Sequence, residues 1–396
     1  MSSTLFKELS LKGFLSYGPD ATVLALAPLN VFIGANGSGK SNLVEALSVL
    51  RAVPKDLPLP IRQGGGVKDW LWKGSVQSES AEIEVVLSEG KVARSSTGEP
   101  SVRYRLEFGA EGGSFTVLDE RLENEFAAPG ESKPYFYFGY ENGRPMINVQ
   151  EVYRELRRAD IDATQSILSQ RRDPDSYPEI TRLAELLGKT LIYRDWSFGP
   201  NAPIRQSCRV DSRSDALSES LDNLPCRLAV LKREPPVKKA LLEKLSELAP
   251  GFDDIEVIPE GGRLQLYLME GSNAVPAHRL SDGTLRYLAL LAILLDPSPA
   301  PLIVIEEPEL GLHFDVMPKL AGLLRDAAVR TQLVVTTHSD PLVDALSNTP
   351  ESVVVCGKVG ASTTLQRLER EKLGEWLKTF SLGSLWTRGQ IGGTRW

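Results

Sequence analysis

One short glycine-rich segment constrains the fold of this chain more than any other feature. Gly34-Ala-Asn-Gly-Ser-Gly-Lys-Ser41 fits the pattern G-x-x-x-x-G-K-[ST], between an apolar run at 29–33 and a helical pattern at 42–50. This order predicts a buried strand, a tight loop and a helix. Glycines let several backbone N–H groups converge on one anion without Cβ interference, and the helix N-terminus adds a favourable dipole. The segment therefore predicts a phosphate-binding loop, and its flanks argue against a chance glycine-rich turn.

The residues of this loop have predicted tasks on a nucleoside triphosphate. Lys40 would reach the β- and γ-phosphates, which also makes it a predicted catalytic residue, and Ser41 would ligate Mg²⁺. The residues predicted to contact the nucleotide are Gly34, Asn36, Gly37, Ser38, Gly39, Lys40, Ser41 and Asn42.

Two adjacent glutamates follow a second buried segment. The unbroken apolar run at 301–305 predicts a strand buried on both faces, with Glu306 and Glu307 at its carboxyl end. Open α/β sheets bind ligands at that end. We expect Glu306 to serve the Mg²⁺ side and Glu307 to orient or deprotonate the attacking water. No lysine or arginine stands beside them in the sequence, so a bound cation explains the pair better than a solvated loop.

A histidine ends the next predicted strand. A helix is predicted at about 317–329 and a buried strand at 332–336, followed by Thr337-His338-Ser339. An imidazole at the carboxyl end of that strand could donate a hydrogen bond to a γ-phosphate. His338 is therefore the predicted phosphate sensor, whereas His278 and His313 are expected to be structural or solvent-facing.

A possible second phosphate contact lies upstream. Leu280-Ser-Asp-Gly-Thr284 precedes an apolar helical stretch at 285–295, so Ser281 or Asp282 is a natural N-cap. A helix start with a small hydroxyl residue and a glycine also suits a phosphate. An ordinary capped helix is the alternative.

Together these segments resemble the nucleotide-binding head of the ABC-type ATPases. Residues 281–284 are similar to the "LSGGQ" signature, and His338 is similar to the switch histidine. The stretch from Glu306 to His313 resembles the "EEPE-x-x-LH" form of the soluble RecF, OLD and structural-maintenance-of-chromosomes (SMC) group. Residues 11–17 resemble that group's first strand and turn. Residues 382–396 resemble the ending of its small stand-alone members, which often occur in bacterial anti-phage operons.

The resemblance implies an α/β phosphate-loop NTPase head with an antiparallel β-lobe, a helical lobe and no long coiled coil. It implies ATP and Mg²⁺ as cofactors and a head-to-tail homodimer around two ATP molecules, with higher oligomers left open. Ser281, Asp282 and Gly283 would then contact ATP in trans, and Asp315 would lie in the D-loop against the partner. A Mg²⁺-sensing glutamine is also implied, for which Gln63, Gln165 and Gln170 compete.

The sequence departs from the family pattern at three positions. Asp282 stands where transporters have glycine, Thr284 where they have glutamine, and Glu306 where aspartate is commoner. The longer Glu306 side chain could slow turnover.

Composition narrows the classes of partner. The 396 residues carry a net charge of −7 with a pI near 5.3, so no global electrostatic footprint for nucleic acid is present and DNA binding is not indicated by charge. No apolar leader or membrane span is evident, which predicts a cytoplasmic protein without membrane partners. The cysteines Cys208, Cys226 and Cys356 show no C-x-x-C pairing, so we expect buried free thiols.

Periodicity divides the chain into three predicted regions of one composite head. Residues 1–150 form a β-lobe carrying the phosphate loop, 151–250 a helical lobe, and 251–396 the signature helix and parallel core. Strands are predicted at 5–14, 81–87, 102–108, 114–118, 135–140, 255–258 and 263–269, and helices at 178–187, 217–231 and 235–249.

These observations predict an ATP-binding and ATP-hydrolysing protein whose ATP-dependent dimerisation controls a separate effector, in bacterial anti-phage defence or a DNA-related process. The alternatives are an ATP-stabilised oligomeric scaffold with little turnover and a DNA-binding repair ATPase. A transporter motor subunit is disfavoured, because transporter heads need no β-lobe of this size.

Overall fold

The computed structural model describes residues 5–74, 78–88, 101–141, 143–149 and 152–392 of the chain. The last predicted motif residues, 393–396, lie outside these ranges. The described residues divide into two compact units. One, which we call the phosphate-loop unit, contains 5–190, 351–373 and 388–392. The other, the signature unit, contains 191–350 and 374–387.

The elements up to residue 190 all belong to the phosphate-loop unit. They are β1 (Phe6–Lys12), β2 (Thr22–Ala25), β3 (Leu29–Ile33), α1 (Lys40–Ala52), α2 (Pro58–Gln63), α3 (Val67–Trp70), β4 (Ser80–Ser88), β5 (Ser101–Glu111), β6 (Ser114–Asn124), β7 (Phe136–Glu141), β8 (Arg144–Val149), β9 (Val152–Glu155), α4 (Ile167–Gln170) and α5 (Pro178–Gly188).

Eight of these strands form an antiparallel sheet in the order β2-β1-β4-β5-β6-β7-β8-β9. Gly112 and Gly113 join β5 to β6 with φ values of 60° and 87°, the backbone that a two-residue hairpin turn requires. Buried and half-buried residues alternate along β4 and β5, so one face of the sheet supplies the core. This confirms the predicted antiparallel sheet.

Residues 191–350 belong to the signature unit. Their elements are β10 (Leu191–Tyr193), β11 (Cys208–Arg209), α6 (Leu224–Leu231), α7 (Pro235–Leu248), β12 (Asp254–Glu260), β13 (Arg263–Glu270), β14 (Asn273–Pro276), α8 (Asp282–Leu294), β15 (Leu302–Glu306), α9 (Met317–Ala327), β16 (Gln332–Thr336) and α10 (Asp340–Asp344). Strands β10, β15 and β16 are parallel neighbours, and β13 lies between β11 on one side and β12 on the other, with β14 also pairing to it.

The remaining elements are β17 (Val353–Val359), β18 (Ser362–Arg367) and α11 (Arg370–Leu373) in the phosphate-loop unit, and α12 (Leu382–Thr387) in the signature unit. Strand β17 pairs in parallel with β3 and antiparallel with β18. All five residues of β3 are buried, as its unbroken apolar sequence predicts.

Two predictions in the helical region are wrong. The stretch 151–250 is not helical throughout, because it contains β9, β10 and β11. The helix predicted at 217–231 begins only at Leu224. Leu221 has a positive φ of 61°, and the Asn223 amide closes the preceding turn by donating to the carbonyls of Arg213 and Ala216 at 2.7 and 2.9 Å. Pro225 then occupies the first turn of the helix, where no N–H is needed.

No coiled coil is present in the described part of the chain, whose longest α-helix is α7 with 14 residues. Within the same ranges, no helix combines the length and apolarity needed to cross a membrane.

Candidate functional site

The predicted phosphate loop connects β3 to α1 within the phosphate-loop unit. Gly34, Gly37 and Gly39 have φ values of 151°, 73° and 105°, in the region that L side chains rarely adopt. Gly39 is the N-cap of α1. The loop therefore places its backbone at the positive end of a 13-residue helix, which favours an anion.

Two of these glycines are also required by space. A Cβ on Gly34 would lie 2.3 Å from the carbonyl oxygen of Cys356, and one on Gly39 would lie 2.2 Å from Oγ1 of Thr363. Apart from its two chain neighbours, no described residue places a heavy atom within 4 Å of the Cβ position of Gly37. The loop is thus packed tightly from behind by β17 and β18, while Gly37 faces open space.

Lys40 lies over the loop and is buried, with 6% of its surface exposed. Its Nζ donates to the carbonyls of Gly34 and Ala35 at 2.8 and 3.0 Å. Ser41 is exposed in the first turn of α1. Asn42 donates through Nδ2 to Oγ of Ser16 at 2.7 Å, so it also helps to hold the loop.

Three hydroxyl groups, those of Ser16, Tyr17 and Thr363, support the loop. Sequence patterns gave no sign of Thr363. Thr363 on β18 donates to the Ser38 carbonyl at 2.9 Å, and its Oγ1 lies 2.7 Å from Oγ of Ser16. The Tyr17 hydroxyl donates to the Gly39 carbonyl at 3.1 Å. Burial, and secondarily Cys356, raise the pKa of Tyr17 well above its ordinary value, so this hydroxyl remains a protonated donor.

In the signature unit, Glu306 ends the buried strand β15. Its carboxylate lies 3.5 Å from Nε of Arg194, and its carbonyl accepts a hydrogen bond from Nε1 of Trp196 at 2.8 Å. Positive charge is thus present beside Glu306 in addition to any bound cation, and the predicted cation stays a prediction. An arginine far away in sequence supplies positive charge, and sequence adjacency could not show it.

Glu307 has a left-handed backbone conformation, with φ of 48°, which costs a non-glycine residue about 1–2 kcal/mol. Its N–H donates to the Thr336 carbonyl at 2.9 Å, and its carbonyl accepts from NH1 of Arg286 at 3.0 Å. The Glu307 carboxylate lies 3.7 Å from Nε2 of His338. The structure thus brings the predicted general base and the predicted sensor together.

Glu309 fixes the backbone at the histidine. Its Oε1 accepts from Oγ1 of Thr337 at 2.7 Å and from the N–H of His338 at 2.9 Å. Burial raises the pKa of Glu309, and these two hydrogen bonds oppose that rise. In the sequence, Glu309 could be noticed only as the third carboxylate of Glu306-Glu-Pro-Glu309. That pattern did not indicate that Glu309 binds the backbone at His338.

Arg286 connects the signature helix α8 to Glu307. Its guanidinium carbon lies 4.8 Å from the ring centroids of both Trp196 and Phe198, whose planes differ by only 11°. Burial lowers the pKa of Arg286. Cation–π contacts with two rings immobilise the guanidinium that holds the strained Glu307 carbonyl. The sequence patterns did not point to Arg286, Trp196 or Phe198.

The predicted signature segment starts α8. Ser281 is the N-cap, and its Oγ accepts from the N–H of Thr284 at 3.1 Å. Asp282 is exposed and forms an ion pair with Arg205. A Cβ on Gly283 would lie 2.7 Å from the Gly311 carbonyl oxygen. The signature segment therefore packs directly against the loop that leads to Asp315.

Asp315 lies in that loop with its side chain 70% exposed, and its carboxylate is 3.1 Å from Nδ1 of the equally exposed His313. Leu310 and Phe314 in the same loop are 49% and 62% exposed. His313 is solvent-facing, as predicted. The loop presents apolar and acidic groups outward.

The three glutamines predicted as possible Mg²⁺ sensors differ in the hydrogen bonds that they form. Gln165 accepts from the N–H of Leu57 and donates to Asp56, both at 3.2 Å. Gln170 accepts from the N–H of Asp162 at 2.8 Å and donates to the carbonyls of Asp162 and Gln165. Gln63 is exposed at the end of α2. The first two glutamines hold the turn that precedes α4.

Each unit contains candidate oxygen ligands for a metal ion. Exposed Ser41 offers a hydroxyl oxygen and Glu306 offers carboxylate oxygens, which are ligand types that Mg²⁺ accepts. The Ser38 and Thr336 hydroxyls are buried without a hydrogen-bond partner among the described residues. Among residues 5–74 and 152–392, the phosphate loop and the end of β16 thus each have a buried hydroxyl that can form a further hydrogen bond.

One family model matches most of the chain. The family described as "AAA domain, putative AbiEii toxin, Type IV TA system" matches residues 29–344. A DNA replication and repair protein RecF from Leifsonia xyli subsp. xyli (strain CTCB07) is 36% identical over 105 residues, covering 25% of this chain and 26% of the relative. The matched part therefore spans about a quarter of that relative's length.

Solved structures of SMC heads share the fold. One is an SMC head bound to the C-winged helix domain of ScpA, with 17% identity, a TM-score of 0.59 and coverage of 93% of this chain and 99% of that chain. A second is an SMC head with an extended coiled coil bound to the C-terminal domain of ScpA from Pyrococcus furiosus, with 16% identity, a TM-score of 0.56 and coverage of 94% and 98%. A third, an SMC head with a coiled coil and joint from Pyrococcus yayanosii, has 14% identity, a TM-score of 0.52 and coverage of 94% and 99%.

Fold and motifs define an ABC-type ATPase of the RecF and SMC-like group. The chain belongs to the AAA_21 family, whose model covers most of its length. Phosphate-loop ATPases of this kind use a nucleotide and typically Mg²⁺, which suggests nucleotide hydrolysis.

Proposed function

We propose that this protein binds and hydrolyses ATP, and that ATP drives two copies into a head-to-tail dimer that controls a partner protein in the cytoplasm. The observation that carries the proposal is the strained Glu307, at the end of a buried strand and 3.7 Å from His338. Strained non-glycine backbone persists where surrounding contacts enforce it and is concentrated at functional sites.

Each proposed role follows from the chemistry of the side chain. Lys40 and the N–H groups of residues 34–42 bind the phosphates and stabilise charge on them. Glu307 orients the attacking water and accepts its proton, because carboxylate oxygens are acceptors. His338 donates a hydrogen bond to the γ-phosphate, while Glu309 holds the His338 backbone in place.

Ser41 and Glu306 are the proposed Mg²⁺ ligands. When bound, Mg²⁺ would neutralise charge on the phosphate oxygens. Arg194, which lies 3.5 Å from Glu306, would orient the Glu306 carboxylate. Its positive charge would offset the negative charge of the carboxylate when no metal is bound.

The signature segment is proposed to act on the ATP of the other copy. Ser281 and Asp282 are exposed at the N-terminus of α8, where a hydroxyl and unpaired N–H groups can meet a phosphate. The nearby loop containing Asp315 exposes Leu310 and Phe314, and burial of such side chains favours association. This arrangement requires two copies for one complete site.

The first experiment separates binding from hydrolysis. Glu307→Gln keeps the size and hydrogen-bonding capacity of the side chain but removes its basicity, so it should bind ATP, lose hydrolysis and accumulate as a dimer. Phosphate release, nucleotide binding and mass in solution measure these three properties. Glu243→Gln on α7, an exposed glutamate outside the proposed machinery, is the matched control and should behave as wild type. Normal hydrolysis by Glu307→Gln would refute the catalytic assignment.

The second experiment tests action in trans. Lys40→Ala should lose its own phosphate contact, and Ser281→Arg should block the signature that serves the partner. A mixed dimer contains one site with neither change, so an equimolar mixture should recover about a quarter of wild-type activity if copies pair at random and sites act independently. Activity that stays at the level of the separate variants would contradict the shared site.

The biological setting is proposed from the family. Its description refers to a putative toxin of type IV toxin–antitoxin systems, and we propose a role in bacterial anti-phage defence with a separate effector. Cells carrying the chain with its neighbouring genes should survive phage challenge, whereas cells carrying Glu307→Gln should not. Equal survival would argue against a role for hydrolysis in defence.

A further inference from the structure

A single arginine gathers the backbone that leads into the signature segment. The Arg205 side chain is only 8% exposed. Its guanidinium donates to the carbonyls of Phe198 at 2.9 Å, Leu280 at 2.7 Å, and Ala277 and His278 at 3.4 Å, and it pairs with the Asp282 carboxylate.

These contacts hold the backbone of the segment in place and offset the negative charge of Asp282. The backbone at Leu280 and Ser281 is extended, with ψ values of 150° and 156°, and needs support beyond the bonds from the Leu280 N–H to the Ala277 carbonyl and from the Leu285 N–H to the Ser281 carbonyl. Arg205 supplies that support through a planar fork of donors. Lysine could not reproduce this fork.

The charge of Asp282 creates a specific problem for the proposed function. Its carboxylate stands between Ser281 and Gly283, on an exposed surface that a triphosphate would have to approach. The helix dipole favours a carboxylate there in the free protein. However, two anions repel each other at short range unless a cation is paired with one of them.

We propose that Arg205 is a positioning residue for the trans contact: it holds the signature segment in shape and offsets the Asp282 charge, so that the partner's ATP phosphates can approach. This inference rests on the proposed function. It explains how the chain accommodates aspartate at position 282, and it adds Arg205, from the turn before β11, to the residues that determine dimerisation.

The test is a double-mutant cycle in the Glu307→Gln background, because that variant should hold the dimer without turnover. The ATP concentration that gives half-maximal dimer is measured by mass in solution for Arg205→Met, Asp282→Asn and the double variant. Binding of a fluorescent ATP analogue to the monomer is measured separately. Arg209→Met is the matched control, since it removes another arginine–aspartate pair, with Asp211, on the exposed surface.

Arg205→Met should raise the half-maximal ATP concentration about tenfold, because a lone carboxylate then faces the phosphates. Asp282→Asn alone should lower this concentration about threefold. The double variant should recover at least half of the Arg205→Met loss on a logarithmic scale. Monomer binding of the analogue should stay near the parent value, the melting temperature of Arg205→Met should fall because buried carbonyls lose their donor, and Arg209→Met should match the parent.

The outcomes are distinguishable. If Arg205→Met dimerises like the parent, or if the double variant recovers less than half of the loss, the inference is overturned while the proposed function stands. If Arg205→Met does not fold, Asp282→Asn decides, and an unchanged or higher ATP requirement overturns the inference. If the Glu307→Gln parent never dimerises with ATP, the proposed function falls and the inference falls with it.

Discussion

The left-handed backbone of Glu307 can be tested without any assumption about activity. Glycine adopts a φ of 48° freely, whereas alanine does not. We therefore expect Glu307→Gly to be more stable than Glu307→Ala, although glycine is normally the more destabilising of the two. Both variants lose the carboxylate, so contacts of the side chain cancel in the comparison.

The magnitude follows from two opposing terms. Release of left-handed strain should stabilise the glycine variant by about 1–2 kcal/mol, and the greater freedom of glycine in the unfolded chain should offset about 0.5–1 kcal/mol of that. The expected net advantage of glycine is about 1 kcal/mol. With about 2 cal/mol/K of unfolding entropy per residue, this raises the melting temperature by about 1 °C if all 396 residues unfold together.

The assay is urea unfolding and thermal melting of four variants. Glu307→Ala and Glu307→Gly form the test pair, and Glu243→Ala and Glu243→Gly form the control pair. Glu243 lies within α7 of the same unit with its side chain 60% exposed. In this ordinary helical position, alanine should be more stable than glycine by about 1 kcal/mol.

The two pairs should therefore differ in sign. If Glu307→Ala is as stable as Glu307→Gly or more so, the left-handed conformation stores no strain. The hydrogen bonds from Arg286 and to Thr336 then could not be understood as holding a strained catalytic backbone.

Three further predictions concern the surroundings of the site. Gly283→Ala should abolish ATP-driven dimerisation while nucleotide binding persists, because its Cβ would lie 2.7 Å from the Gly311 carbonyl oxygen; a normal dimer in light-scattering experiments would contradict this. The stability of Glu309→Gln relative to wild type should be greater at pH 8 than at pH 4. The pKa of Glu309 is raised in the folded protein, so wild type loses stability as the pH rises through that pKa. The same stability difference at both pH values in urea unfolding would refute this. Thr363→Val should weaken nucleotide binding about tenfold, because it removes hydrogen bonds behind the loop. Thr364→Val, on the outer face of the same strand, should leave binding unchanged. Equal nucleotide affinities of the two variants in a titration would disprove the supporting role of Thr363.

Local sequence patterns predicted the elements at the core of the site well. The strands at Leu29–Ile33 and Gln332–Thr336 have the predicted bounds, because unbroken apolar runs next to polar motifs leave few alternatives. Of the two predicted N-cap candidates, Ser281 and Asp282, the structure assigns Ser281.

What the patterns could not supply were contacts between distant segments. Arg194 and Arg205 lie outside the predicted motifs, and Arg286 lies in the predicted apolar helix at 285–295, yet each contacts a motif residue or its backbone. The same applies to Thr363, whose partner Ser38 is 325 positions away. The strain at Glu307 was equally hidden, because backbone torsion depends on the neighbouring strand and on Arg286, and residue type alone gives no sign of it.

The bond from Thr363 to the Ser38 carbonyl, together with the pairing of β17 with β3, has a consequence for protein synthesis. A ribosome releases residues 29–41 long before it makes residues 353–363, so the glycine loop emerges without the strands that shape its rear. Nascent chains should therefore bind nucleotide poorly until residues 353–363 have emerged. Dimerisation of shorter nascent chains would be prevented by the order of the elements along the chain.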